Sequence, residues 1–405
     1  MKTVLLGWEL GANLGHAKPL AEIAKALIGE DVRLIAAARD LVHAGIAFEG
    51  LPVQLLQAPV WSDHRHFGSE FGQASYVDVL VQIGFAEPSK LAAIVGGWIE
   101  LFELIHPDVI VADHSPGLLL AAKIRNIAVV QVGTGFTMPP LEYDRLPPIR
   151  ADRAPMVPEA RIVAAAASLA ARYGAWTPQA LGEIFRTRGR VVFGCPELDP
   201  YAPFRREPLH LPPEPLPEFI EPPVQPRLFV YLGADVPNIE RLLQALIELG
   251  VPLSVYLRGE LGPLSKFLVL RGHDVYEAPP ALADVLPNAS HVISAGGAFT
   301  CQAALSAGRP MLGVPLHGEA ELNVAALERL GVAYRLDPAS SEGAMRNAVT
   351  LFLRDHKLLP KARHWANVLA LRGQLSGADE AVRAIRECLD GARVDGRAPS
   401  AAHAH

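Results

Sequence analysis

NASHVISAGGAFTCQAALSAGRPMLGVPLHGEAELNVAALERLGVAYR, Asn288 to Arg335, decides the fold. It reads as a strand, a glycine pair, a helix, a second strand and a second helix, the order of a parallel α/β unit. Gly296 and Gly297 fall where the first strand meets the first helix. Glycines there leave backbone N–H groups open to a phosphate, and the positive end of the helix dipole favours the negative charge. Thr300, early in the helix, adds a hydroxyl that can donate to a phosphate oxygen.

Upstream of this stretch, the same alternation runs through Leu228–Leu232 with Gly233 at its end, the helix Asn238–Leu249 and the strand Leu253–Leu257. It also fills the first half of the chain. Strands are expected at Thr3–Gly7, Val32–Ala37, Val109–Ala112 and Val129–Val132, with helices at His16–Ile28, Leu91–His106 and Gly117–Arg125. Strands alternating with helices build a doubly wound α/β sheet. Between Pro196 and Pro226 proline density rises abruptly, which favours an extended connector. The expected architecture is therefore α/β, with two Rossmann-like doubly wound domains facing a cleft. Residues 1–195 form the first, 196–226 a proline-rich linker and 227–360 the second. A terminal helical stretch over 361–390, read from Lys361 to Leu389, is well placed to cross back onto the first half. Residues 391–405 read as a disordered tail, because they are small, polar and without period.

The 405 residues are enough for two cores. A formal charge of -6, from 37 basic and 43 acidic side chains, argues against a phosphate polymer as partner. The short basic runs Arg186-Arg188-Arg190 and Arg205-Arg206 read as solvated faces. Three widely spaced cysteines, Cys195, Cys301 and Cys388, offer neither a disulfide framework nor a metal-ligand spacing, so a reducing, cytoplasmic setting is expected. MKTVLLGWELG is too briefly apolar for a signal segment, and no run reaches the roughly 18 apolar residues of a membrane helix. A peripheral membrane contact stays open.

Chemistry-bearing residues cluster at strand ends. His16, in Gly15-His16-Ala17-Lys18-Pro19, follows the first strand and its glycine loop, at the start of a helix whose dipole disfavours the imidazolium. It suits a general base acting on a hydroxyl, although a lone Gly-His pair more often caps its own helix. Asp113 closes the strand that begins near Val109, so it shares that edge and can orient the histidine. Capping the next helix is the plainer role for an Asp before Ser115-Pro116-Gly117. Asp108 starts the same strand and lies at the opposite edge. From Pro59 to Phe85 a glycine-interrupted segment carries Trp61, His64, His66 and Phe67, the composition of a loop that shapes ligand specificity. Its Asp63-His64-Arg65-His66 run lacks further ligands at metal spacing, and no Asp-x-Asp occurs, so no metal is expected. Cys301 reads as a small packing residue.

The spacing of Gly296, Gly297, Gly308, Pro310, Pro315 and Asn323, together with Gly-His-x-x-Pro at Gly15–Pro19, resembles the UDP-glycosyltransferase and macrolide glycosyltransferase family, glycosyltransferase family 1. The resemblance implies a GT-B fold and metal-independent, inverting transfer of a sugar from a UDP- or dTDP-sugar to a hydroxyl of a hydrophobic small molecule. No other cofactor is implied. It assigns His16 as base and Asp113 as its partner. Donor contacts fall to Gly233, Pro279, Gly296, Gly297, Thr300, His317, Glu319 and Asn323, and acceptor contacts to the loop with Trp61, His64, His66 and Phe67. The chain also departs from the pattern. Ala295 stands where the family has a phosphate-binding His, Ala303 where a Glu holds the ribose, and Glu319-Ala320 where Asp-Gln holds the sugar. Two other readings stay open: a non-catalytic binding protein with an eroded donor site, and an epimerase of the same fold.

Overall fold

The computed structural model describes residues 1–61, 73–259 and 263–394. Two parallel sheets organise it. The first holds β1 (Lys2–Trp8), β2 (Val32–Ala38), β3 (Val53–Gln57), β4 (Val109–Asp113), β5 (Ala128–Thr134), β6 (Gly189–Phe193) and β7 (Leu209–His210), in the order β3-β2-β1-β4-β5-β6-β7. The second holds β8 (Leu228–Gly233), β9 (Leu253–Arg258), β10 (Asp274–Val275), β11 (His291–Ser294), β12 (Met311–Gly313) and β13 (Ala333–Arg335), in the order β10-β9-β8-β11-β12-β13. Helices cover both faces, which is why strands such as Val109–Asp113 are buried along their whole length and read as continuous apolar runs. This is the doubly wound pair that the alternation predicts.

One face of the first sheet packs Leu5, Ile35 and Ile110 against the helices Pro88–Ile105, Pro116–Arg125 and Glu159–Arg172. Its other face packs Val4, Leu6, Val111 and Val130 against Leu14–Ala26 and the terminal helix Gly377–Val394, through Ala381, Val382 and Ile385. Strand order reverses beside β1 and β4 in the first sheet and beside β8 and β11 in the second. Crevices at the carboxyl ends of those strands are where open parallel sheets bind ligands.

Four expectations need correction. The stretch Lys361–Leu389 is two helices, Leu358–Arg372 and Gly377–Val394, because Gly373 takes a left-handed conformation (φ 62°) that ends the first. The second runs to Val394, so the four residues 391–394 are helical; residues 395–405 lie outside the described residues. The proline-rich segment contributes a strand, β7, pairing with β6 at Phe193 and His210. Finally, Arg190 and Arg205 are not solvated. Arg205 is paired with Asp199 at 2.5 Å and Glu207 at 3.2 Å, and Arg190 with Glu207 at 2.7 Å. Partners about 2 to 17 residues away along the chain, upstream as well as downstream, neutralise charges that look exposed in isolation.

The Gly308-Arg309-Pro310 run acquires a structural role. Arg309 is 1 % exposed and donates to the carbonyls of Ile220, Leu286 and Ala307, fastening the proline-rich segment to the second half. Gly308, at φ 68°, leaves room for Phe219 of that segment. Among the described residues no helix is long and apolar enough to cross a membrane.

Candidate active site

His16 lies in the first turn of Leu14–Ala26, and three features hold its ring. Nδ1 is 3.2 Å from Oδ2 of Asp113. Trp8 stacks on the imidazole at 5.8 Å and 21°. On the Nε2 side, a Cβ placed on Gly11 would be 2.0 Å from Nε2, so only glycine, here at φ 86°, fits beneath the ring. Trp8 and Asp113 are register partners in β1 and β4, which puts base, ring and carboxylate at one strand crossing. A carboxylate only accepts, so Asp113 receives Nδ1–H and leaves the lone pair on Nε2.

Burial alone would push the pKa of His16 down. The charge and hydrogen bond of Asp113, then the charge of Glu319, outweigh it, and the net direction is up. This corrects the expectation that the helix start keeps the imidazole neutral: two nearby carboxylates dominate.

The capping role that competed for Asp113 is filled by another residue. Gly117 N–H, in the first turn of Pro116–Arg125, donates to Oε2 of Glu9 at 2.8 Å, while Trp98 Nε1 donates to Oε1 at 2.8 Å. Sequence reasoning missed Glu9, which is wholly buried; burial raises its pKa to about 7 against the pull of those hydrogen bonds. Leu10 N–H also bonds His114 O at 3.0 Å, so the loop carrying Gly11 is stitched to the segment carrying Asp113. A carboxylate just after the first strand was the available signal. Asp108 lies at the opposite sheet edge, bonded to Lys2 at 2.7 Å.

At the end of β11, Gly296 and Gly297 behave differently. Gly296 is locked at φ 85°, with Val324 2.7 Å from any added Cβ, and its carbonyl accepts from Asn323 Nδ2 at 3.0 Å. Gly297 is exposed, begins the helix Ala298–Ser306, and has nothing closer to an added Cβ than Thr300 Oγ1 at 3.9 Å. The turn is therefore a braced backbone loop with one open face. The three departures are packed over: Ala303 is 2 % exposed in an apolar core with Val285 and Leu305, Ala320 is fully buried, and Ala295 is half-buried.

The remaining expected donor residues divide. Glu319 reaches across the cleft and accepts from Thr134 Oγ1 at 3.0 Å, and Arg150 meets Glu321 at 3.2 Å beside it. His317 spends Nδ1 on Ala320 N–H at 3.4 Å, capping the helix Gly318–Arg329. Space above Gly233 is filled by Asp235 Oδ1 and Arg258 Nη2, 2.0 Å and 2.7 Å from an added Cβ, so that glycine makes room for an ion pair. Pro279 is half-buried ahead of the helix Leu282–Val285. Of the expected acceptor loop, His64, His66 and Phe67 lie outside the described residues. Trp61 is not on a loop surface: it is 4 % exposed and stacks on Phe85 at 6.1 Å. Among the described residues, no group of three or more His, Cys, Asp or Glu side chains could hold a metal.

Between the halves a small pocket is lined by Thr134–Phe136, Phe193–Cys195, Phe299, Gln302, Glu319 and Asn323.

No family model matches the sequence, and no curated protein matches it either. Solved structures do. The calicheamicin glycosyltransferase CalG4 superposes with a TM-score of 0.69 at 17% identity, covering 96% of this chain and 98% of that one. Spinosyn rhamnosyltransferase SpnG, in complex with spinosyn aglycone, gives 0.64 at 15% identity over 95% and 100%. The glycosyltransferase SsfS6 of Streptomyces sp. SF2575, in complex with thymidine diphosphate, gives 0.62 at 18% identity over 96% and 100%. The chain has the GT-B fold. In GT-B terms His16 and Asp113 stand at the switch point of one Rossmann-like half, and the Gly296-Gly297 turn at that of the other.

Proposed function

We propose that this GT-B protein is a glycosyltransferase that moves a sugar from a nucleoside-diphosphate sugar to a hydroxyl of a hydrophobic small molecule. The observation that carries the reading is the His16–Asp113 pair, held by three contacts at one switch point, with Glu319 from the other half close enough to raise its pKa. Residues 1–195 take the acceptor and 227–360 the donor. The acceptor oxygen attacks the anomeric carbon as the bond from that carbon to the diphosphate oxygen breaks. The nucleoside diphosphate leaves with the electron pair, and the hydroxyl proton passes to Nε2 of His16. Asp113 stabilises the imidazolium so formed. A single displacement of this kind inverts the anomeric centre. Backbone N–H groups at Gly297 and the helix start, with Thr300, receive the leaving diphosphate charge, so the reaction proceeds in EDTA.

A second reading is favoured by one observation. Ala303 is packed into an apolar core and Ala320 is fully buried, as they would be in a GT-B binding protein that no longer holds a nucleotide. Calorimetric titration with dTDP, UDP and GDP decides between them. Binding of one of the three in the micromolar to millimolar range supports transfer; binding of none favours the binding-protein reading.

A further inference from the structure

The residue after Asp113 takes a backbone conformation that its neighbours in the strand do not. His114 sits at φ 44°, in the left-handed region that residues other than Gly and Asn seldom occupy. The turn is fastened on both sides: Leu10 N–H donates to His114 O at 3.0 Å, and Ser115 Oγ donates to Asp113 O at 2.8 Å. A side-chain-bearing residue held in that conformation points to a use for its side chain.

The ring of His114 lies 5.6 Å from the imidazole of His16, tilted by 34°, and 6.1 Å from Tyr76, which meets Phe185 edge-on at 5.5 Å. Rings at these separations attract one another. Side chains alternate between the faces of a strand. Val109, Val111 and Asp113 therefore share the face that carries the His16 helix, while Ile110 and Ala112 share the other with Tyr76 and Phe185. Regular alternation would send residue 114 to that second face. The strand ends at Asp113 instead, and after the left-handed turn one ring meets His16 from the first face and Tyr76 from the second. His114 is 8 % exposed, so these contacts are made inside the protein.

An imidazole bonded through a single nitrogen can still pivot about that bond. Trp8 restrains the pivot by stacking on His16, and His114 restrains it again through rings anchored in the core. We infer that His114 is a positioning residue for His16: its ring fixes the plane of the imidazole, and with it the direction in which Nε2 takes up a proton. The catalytic meaning rests on the glycosyl-transfer reading, in which that imidazole is the base; the restraint itself needs no nucleotide.

The test is NMR relaxation of the His16 ring in the full chain without ligand, its signal assigned by its absence in His16→Ala. Three variants are compared. His114→Asn suits the left-handed backbone and removes the ring, His114→Phe keeps a ring and lacks both nitrogens, and His114→Gln removes the ring but keeps a side-chain N–H. In His114→Asn the order parameter of the His16 ring falls from about 0.85 toward about 0.6, the rigid and flexible ends of the scale. The melting temperature holds or rises, because Asn takes φ > 0 at less cost. His114→Phe keeps the wild-type order parameter, and His114→Gln loses it as Asn does, which decides the matter should Phe fail to fold. An order parameter in His114→Asn equal to wild type overturns the inference. So does a value kept by His114→Gln and lost by His114→Phe, which would assign the role to the nitrogens. None of these measurements involves a nucleotide, so a failure here is distinct from a failure of the transfer reading, which the calorimetric titration reads.

Discussion

The two switch points of this GT-B molecule are built from opposite materials. In the first half the site is made of side chains that constrain one another: Asp113, Trp8 and Gly11 fix a single histidine, and Glu9 ties the two loops beneath it. In the second half it is made of backbone, a braced Gly296 and an open Gly297, with alanines at the positions where polar groups would be expected. A site of side chains is lost by one substitution and keeps its chemistry only at one geometry. Backbone tolerates the loss of side chains around it, because its donors are the N–H groups themselves.

The largest effect should come from removing the histidine. His16→Ala is expected to lower turnover by about 10²- to 10⁴-fold, the ordinary contribution of a general base, with nucleotide affinity unchanged. Steady-state rates beside calorimetry check both halves of that statement. Unaltered turnover would move the base elsewhere and dissolve the contrast between the two sites. Asp113→Asn should cost less, through a misoriented or poorly stabilised imidazolium.

Glu9 tests how firmly the first site is supported. Its carboxyl is raised from 4.5 to about 7 by burial, so between those values the folded state holds a proton that the unfolded chain releases. The stability tied to that proton is present below pH 4.5 and lost as pH rises through 7, an effect of roughly 3 kcal/mol. Glu9→Gln carries no such proton. Its stability relative to wild type should therefore improve from pH 5 to pH 8, as read from thermal melts. A gap that stays constant with pH would mean Glu9 is ionised throughout.

On the backbone side, Gly297→Val should lower nucleotide affinity at least about tenfold by placing a side chain where phosphate oxygens approach. The melting temperature should hold, because nothing crowds that position. Gly296→Val should do the reverse and destabilise the fold, since φ 85° and Val324 exclude a side chain. Destabilisation by both would show that the second site is as tightly constrained as the first.

How much of this could be read in advance follows from the range of each interaction. Strand and helix alternation is local, so both sheets were legible. The strand-end rule brought His16 and Asp113 to one edge although 97 residues separate them. Contacts set by packing across elements were not legible. Trp61 looked like a loop aromatic and is core; Arg190 and Arg205 looked solvated and are paired; Gly11 gave no pattern of its own, and the carboxylate of Glu9 after the first strand carried no sign of its distant partners Trp98 and Gly117. The pKa of His16 was misjudged because Glu319 approaches from 303 positions later in the chain, on another domain.

That approach supplies the smallest prediction and the one that joins the two sites. Asp113 precedes Glu319 among the charges that raise the pKa of His16, so Glu319→Gln should lower it, and by less than Asp113→Asn does. The sign follows from the imidazolium: a removed carboxylate no longer stabilises the charged form, and the neutral base persists to lower pH. The acid limb of kcat/KM then moves down. Because a role for Glu319 in holding the sugar is part of the proposed function, the cleaner reading is a ligand-free one. NMR titration of the His16 ring, assigned by its absence in His16→Ala, should show a lower midpoint in Glu319→Gln. Gln can still accept from Thr134 Oγ1, so the cleft contact survives while the charge is gone. An unchanged midpoint would mean that in solution Glu319 stands farther from His16 than the Thr134 contact requires. The two switch points would then meet only when a ligand draws them together.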